Sequence, residues 1–531
     1  MHPKGQILYF RSPVDGELHP CAVCATDDSS EPKALILEVS PGAISNLRGS
    51  IRITEQIAEA ARVAGESCVV LRPTGRGPGS VYQNYGEIDV FEAIEHVSGI
   101  YPINPERISV TGGSMGGAAT WYLISHYPDR FASAVPFCGY CDYTLWEKPG
   151  GLTFHMHPWE EPSWRARSAA YLVDNLEHTP VWMLHGEWDR SIGGGVPVDH
   201  SRLMNQRMDE FGFPHRYTEV PKTGHGCRSD ELIAETVGWM LQQSKADDPD
   251  HVALVTYGLR HNRSYWLTVE QLIVYGDRSR AEATRSAADL QVVTENVRAI
   301  TLGPFGGEER ALTIDGSSIG TIGFSEAQTF LRDRNGAWSP VGAIPARQKR
   351  HGSSGPIGDM FFDGTILVPG TSGSEDAAFH NNWIAGNSVG YYKSRNGGVH
   401  RGGIMGESHV ELPVVKDTDL TDEDISEKNL VLYGSAETNG VTKRLMDSLP
   451  ISFQGETIEM AGKSYTHPNL SIFAVFPNPE NSLRTVAVHG GVTPDAVTWG
   501  SHLDMNLLPD YLVYAGGELL DWGFWDSEWR G

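Results

Sequence analysis

Three residue types in one chain order could do nucleophilic acyl chemistry here. Gly112-Gly113-Ser114-Met115-Gly116 sets a serine between glycines two before and two after it. A serine hydroxyl is a poor nucleophile at neutral pH; it needs a base within hydrogen-bond reach, and the base needs an orienting acid. Asp189 closes the stretch Leu184-His185-Gly186-Glu187-Trp188-Asp189, and His225 stands between glycines in Thr223-Gly224-His225-Gly226. Serine, acid, histidine is the order expected downstream of a nucleophile elbow. Ser114 is therefore read as nucleophile, Asp189 as acid and His225 as base. Glu187 and Asp199 stay open as acids and His215 as base. Attack on a carbonyl also requires two backbone donors for the oxyanion. Met115 N–H is one candidate, and the loop after Val39 supplies the other through Ala43 or Gly42. Pro41 has no N–H to offer.

The elements that must position these groups follow from periodicity. A short β-branched run, Ile108 to Thr111, enters the glycines, and a helical pattern runs from Met115 to about His126. Strand, glycine-flanked serine and helix is the context the elbow requires. Gln6 to Arg11 and Glu17 to Ala25 read as two antiparallel strands around a Pro-Val-Asp-Gly turn. Ala34 to Val39, Ser67 to Leu71, Phe131 to Phe137, Val181 to His185 and Arg216 to Val220 read as buried strands. Helical patterns at 53–64, 85–97 and 232–241 alternate with them. Alternation of this kind predicts an α/β fold, a mostly parallel sheet with helices on both faces and an antiparallel edge. Reactive residues then collect at the carboxyl ends of the strands, where Ser114, Asp189, His225 and the Ser40 to Ala43 loop all fall. His215 precedes its strand and is expected at the opposite end.

The segment Thr144 to Trp164 interrupts the alternation. Its Trp146, His155, His157 and Trp159 suggest a lid or substrate wall over the strand ends. His155 and His157 alternate, but no third ligand accompanies them, so no metal is expected. Six cysteines occur, all before residue 230. Cys21/Cys24 and Cys138/Cys141 have C-x-x-C spacing, yet they sit on strand-like stretches without knuckle glycines. They read as small buried apolar residues, with a local disulfide in either pair left open.

The 531 residues carry a formal charge of −25, which disfavours nucleic acid and anionic membrane surfaces as partners. No apolar run is long enough for a membrane span. Met1 to Gln6 lacks the apolar core of a signal peptide, which favours a cytoplasmic location, or a secreted one if a leader precedes it. Three domains are expected: a catalytic domain over 1–245, a small β-rich module over 250–345 and a second, smaller α/β domain over 346–531. Asp315-Gly316 marks a hairpin in the module, and Thr421 a capped helix start in the last domain. The tail from Asp521 to Trp529 is too aromatic to remain in water. It is expected to dock onto another surface, internal or between subunits, which leaves a homo-oligomer open.

With these pieces in place, the first 245 residues resemble the α/β-hydrolase catalytic domain of prolyl oligopeptidase-like serine hydrolases. The resemblance rests on Pro102 to Ile108 before the elbow, Tyr127-Pro128-Asp129-Arg130-Phe131 after its helix, Pro180 to Asp189, and Gly224-His225-Gly226. It covers under half the chain. It implies a Ser-His-Asp hydrolase that needs no cofactor. Two departures bear on substrate. No room exists for the β-propeller that precedes the catalytic domain of true oligopeptidases, and no tyrosine stands in Ser40-Pro41-Gly42, where many members place one. Both favour a small or polymeric carboxylic ester over a peptide. A peptidase or amidase, and a non-catalytic binding protein on a hydrolase fold, remain the alternatives.

Overall fold

The computed structural model of the protein describes residues 2–40, 46–77, 81–143, 145, 157–190, 195–307, 309–395, 410, 412–499 and 507–531. The first 245 residues are organised on eight strands: β1 (Gln6–Arg11), β2 (Leu18–Ala25), β3 (Lys33–Glu38), β4 (Cys68–Pro73), β5 (Ile103–Gly113), β6 (Ser133–Phe137), β7 (Val181–Gly186) and β8 (His215–Val220). They pair in the order β1-β2-β4-β3-β5-β6-β7-β8. β1, β2 and β4 meet antiparallel, and every pair from β4 to β8 is parallel.

Successive strand residues point to opposite faces, and both faces are covered. On one face Leu35, Leu37, Val69 and Leu71 pack with Val90, Trp121, Tyr122 and Met204. These come from α2 (Tyr85–Ser98), α3 (Met115–His126) and α5 (Asp199–Phe211). On the other face Ala34, Ile36, Val70 and Leu184 pack with Ile57, Ala61 and Val237, from α1 (Leu47–Val63) and α6 (Asp230–Met240). The remaining helix, α4 (Glu161–Arg167), belongs to the insertion after β6. α1 begins six residues earlier than its apolar periodicity indicates, because the Asn46 side chain accepts from Gly49 N–H at 2.8 Å and caps it.

Beyond α6 the chain builds two five-stranded sheets between His251 and Val341 around a shared core containing Leu254, Val269, Ile300 and Phe330. Glu309–Ile314 and Ser317–Gly323 form the expected hairpin, with Asp315 and Gly316 both at positive φ. The last segment forms a six-stranded sheet from Thr365–Pro369 to Glu518–Gly523, parallel over its first three strands and antiparallel thereafter. Thr421 caps its short helix through Asp424, as its sequence indicates. The aromatic tail docks within the chain: Trp525 is fully buried, stacks on Tyr511 and donates to the Val475 carbonyl at 2.9 Å.

Among the contacts that tie these parts to the first sheet are those of Glu87 and Tyr85. Glu87, buried at the start of α2, accepts from His261 at 2.9 Å and pairs with Arg260 at 3.3 Å. Tyr85 donates to the Asp363 carbonyl at 2.9 Å. Among the described residues no helix is long and apolar enough to cross a membrane.

Candidate active site

Ser114 occupies a sharp turn between β5 and α3, at φ 60° and ψ −118°. Its N–H donates to the Phe137 carbonyl of neighbouring β6 at 2.9 Å, which pins the turn. The flanking glycines are required by close approach. A Cβ on Gly112 or Gly116 would lie 1.9 or 1.8 Å from the Val39 carbonyl oxygen. The end of β3 therefore runs directly beneath the turn, with Val39 and Ser40 against its glycines. Met115 N–H is the first of α3 and has no acceptor within the helix, so it is available to a developing anion.

Asp189 sits in the loop beyond β7 and is 1% exposed. Its Oδ1 accepts from Val196 N–H at 3.1 Å, and its Oδ2 accepts from His225 Nδ1 at 2.7 Å. On the other side of the imidazole, His225 Nε2 lies 2.8 Å from Ser114 Oγ. Burial alone would raise the Asp189 carboxyl, but hydrogen bonds from His185 and His225 outweigh it and lower it to about 2. The same bond to Asp189, followed by one with Cys138, holds His225 above the usual imidazole value against a downward push from burial. The His225 side chain keeps 34% of its surface exposed, so the site is open at the imidazole.

The open alternatives are engaged elsewhere. Glu187 accepts from Lys222 N–H at 2.8 Å and shapes the turn leading to His225. Asp199 lies on the surface beside Arg202. His215 is at the start of β8, where its ring contacts the Phe213 carbonyl and Asn205.

The expected substrate wall divides differently. Ala43, Trp146 and His155 lie outside the described residues. Trp159 is 3% exposed and packs into the core cluster of the last segment with Ile366, Leu430 and Tyr514. His157 stacks on it with ring centroids 4.2 Å apart. This pair packs the insertion against the C-terminal part of the chain. The apolar cluster beside Met115 is made instead by Tyr140, Tyr143, Trp164, Val196 and Leu507. Leu507 comes from the far end of the chain, and no local pattern marks it.

Three further groups support the site. His185 Nε2 is 3.2 Å from Asp189 Oδ2 and 2.9 Å from the Val196 carbonyl, while its Nδ1 meets Ser201 Oγ at 2.7 Å. Glu38, fully buried at the end of β3, pairs with Arg72 at 3.3 Å and with Arg228, three residues past His225, at 2.8 Å. Tyr82 accepts from Ser40 N–H at 3.1 Å and donates to the Ser40 carbonyl at 2.8 Å. A tyrosine from another loop thus fastens the chain just past β3, where Ser40-Pro41-Gly42 itself has none. Donor atoms of Cys138, Asp189 and His225 lie within 4.8 Å of one another. The short bonds of His225 to Ser114 and Asp189 already engage both of its nitrogens.

Residues 81–247 match the prolyl oligopeptidase family. The chain is 34% identical over 154 residues to an uncharacterized secreted protein of Arthroderma benhamiae, covering 26% of this chain and 15% of that one. It is 25% identical over 204 residues to the uncharacterized peptidase YuxL of Bacillus subtilis, covering 34% and 30%. With the acylamino-acid-releasing enzyme of Arabidopsis thaliana it shares 27% over 154 residues, covering 26% and 19%. The chain thus spans less than a third of the length of each of these relatives. Among solved structures, a thermostable esterase is 24% identical with a TM-score of 0.35, over 45% of this chain and 63% of that one. Pyrococcus horikoshii acylaminoacyl peptidase is 14% identical with a TM-score of 0.38, over 46% and 43%. Ser114, Asp189 and His225 all fall inside the span, residues 81–247, that matches the prolyl oligopeptidase family.

Proposed function

We propose that the protein is a serine hydrolase that cleaves a carboxylic ester through an acyl-enzyme. The observation that carries this reading is the unbroken chain of hydrogen bonds from Ser114 Oγ through His225 to Asp189, at 2.8 and 2.7 Å. Ser114 Oγ attacks the ester carbonyl while His225 Nε2 takes its proton. Asp189 holds the imidazole in the tautomer with hydrogen on Nδ1 and stabilises the cation that forms. Met115 N–H and one N–H of the loop after Val39, from Ala43 or Gly42, receive the oxyanion. His225 then returns the proton to the leaving alcohol, and water repeats the sequence on the acyl-enzyme. None of these steps calls for a cofactor.

An ester is preferred to a peptide because Ser40-Pro41-Gly42 carries no tyrosine of the kind that many oligopeptide-cleaving members place there. The peptidase reading is kept because two of the relatives carry peptidase or acylamino-acid-releasing names. A fluorophosphonate probe should label the wild type and fail on Ser114→Ala. Absence of label on the wild type, or equal labelling of both, rules out the catalytic reading in favour of a binding protein. Turnover of p-nitrophenyl acyl esters over peptide anilides is expected, and turnover of anilides alone would move the assignment to a peptidase.

A further inference from the structure

We propose that Cys138 and Cys227 form an oxidisable dithiol beneath the histidine loop, which a hydroperoxide converts to a disulfide that disables the site. The two residues are 89 apart in sequence, yet their sulfurs are 3.2 Å apart. Both are buried, at 2% and 3% exposed. Cys138 follows β6 at φ 47°, held there by its N–H to the Leu184 carbonyl at 2.9 Å. Its thiol also donates to the His225 carbonyl at 3.6 Å. Cys227 lies two residues past His225 on the same loop.

The C-x-x-C spacings do not produce this pair. Cys21 and Cys141 pack on one face of the sheet, whereas Cys24 and Cys138 pack on the other. Neither local pair can therefore close. Cys141 instead contacts His200, and burial raises the thiols of Cys21, Cys24 and Cys68 to about 12, which leaves them unreactive. In the tertiary pair the hydrogen bond works in opposite directions on its members. It lowers Cys227 and raises Cys138, so Cys227 is the readier thiolate.

The chemistry balances with a hydroperoxide as oxidant. The Cys227 thiolate attacks the O–O bond, an S–O bond forms, and the other oxygen leaves as water or alcohol with one thiol proton. The Cys138 sulfur then displaces the hydroxyl from the sulfenic acid, the S–S bond forms, and a second water leaves with the remaining proton. Two electrons pass from sulfur to peroxide. A disulfide bond is about 2.0 Å long, so closing it from the 3.2 Å sulfur separation brings the histidine loop and the end of β6 about 1 Å closer together. A misplacement of that size in a catalytic group costs on the order of 100-fold in rate.

The consequence for activity rests on the triad reading, but the cross-link itself does not, and the test separates the two. Full-length protein is treated with hydrogen peroxide, digested without reduction and mapped by mass spectrometry. Ester turnover and fluorophosphonate labelling are followed in parallel. A Cys138–Cys227 linked peptide should appear, with at least a tenfold loss of turnover or labelling, and both should reverse with dithiothreitol. Cys227→Ala and Cys138→Ser, each compared with its own untreated sample, should lose the response, whereas Cys141→Ala should keep it. Absence of the linked peptide overturns the proposal whether or not the enzyme turns over esters. A linked peptide with unchanged activity overturns the disabling effect, and inactivation that persists in Cys227→Ala assigns it to another group.

Discussion

His185 Nε2 lies 3.2 Å from Asp189 Oδ2, the same oxygen that accepts from His225 Nδ1 at 2.7 Å. Two imidazoles therefore converge on one carboxylate oxygen, while Val196 N–H holds the other. His185 touches neither the serine nor the oxyanion site, so it acts as a positioning residue through Asp189. Removing a hydrogen bond to a charged group costs about 1.5–3 kcal/mol. His185→Ala should accordingly lower kcat by about tenfold or more with KM nearly unchanged, in steady-state assays on the preferred ester. A change confined to KM would place His185 against substrate instead.

The pH profile should carry the signature of Asp189. His225 acts as base only when neutral, and its bond to Asp189 keeps it protonated to a higher pH than the free imidazole value of 6.5. kcat/KM should therefore rise with pH through a midpoint above 6.5. Asp189→Asn removes that stabilisation, so the midpoint should move down toward 6.5 while kcat falls by about 10⁴. A midpoint unmoved by the substitution would detach the profile from this pair.

Gly195 sits where a side chain would strike the acid. A Cβ there would be 2.2 Å from Asp189 Oδ1 and 2.4 Å from the Arg190 carbonyl. Gly195→Ala must push the loop away and break the Val196 bond to Asp189. A displacement on the 1 Å scale costs on the order of 100-fold, so kcat should drop by about one to two orders of magnitude. Gly238→Ala is the comparison, because its Cβ meets nothing within 4 Å; its kcat should match the wild type.

Glu38 joins the strand under the elbow to the histidine loop through Arg228 and to β4 through Arg72. Burial pushes its carboxyl up, but the two guanidiniums and Ser40 outweigh that and hold it below the usual carboxylate range. The folded pKa is depressed. The associated stability is therefore present above the unfolded value of about 4.3 and is lost as pH falls through the folded pKa. Glu38→Gln leaves the buried Arg72 and the partly exposed Arg228 without their anion, at a cost of up to about 3–5 kcal/mol. Thermal melts should show a large drop in Tm at pH 7 that narrows in acid. Parallel Tm curves for the two proteins would refute this role.

The parts of the site legible in the sequence are those with a local cause. Gly112 and Gly116 are dictated by a turn that brings backbone within contact of backbone, so the elbow is written in five consecutive residues. The parallel sheet was likewise readable, because strands buried on both faces must be nearly continuous apolar runs such as Ala-Leu-Ile-Leu at 34–37. Asp189 and His225 could be ordered along the chain, since the fold places loops after β7 and β8 at the same end of the sheet.

What only the tertiary structure decided is the partnership of residues far apart in sequence. Cys138 meets Cys227 and not Cys141, because in the loop after β6 Cys138 and Cys141 pack into the cores on opposite faces of the sheet while the histidine loop returns over the end of β6. Trp159 of the insertion packs into the core of the last segment, whose approach no spacing announces. Leu507 reaches the cluster beside Met115 for the same reason. Periodicity records which face a residue buries, not which distant surface arrives to cover it. Those arrivals are set by how the sheets stack, and they fix what surrounds Ser114 as firmly as the glycines fix the turn on which it stands.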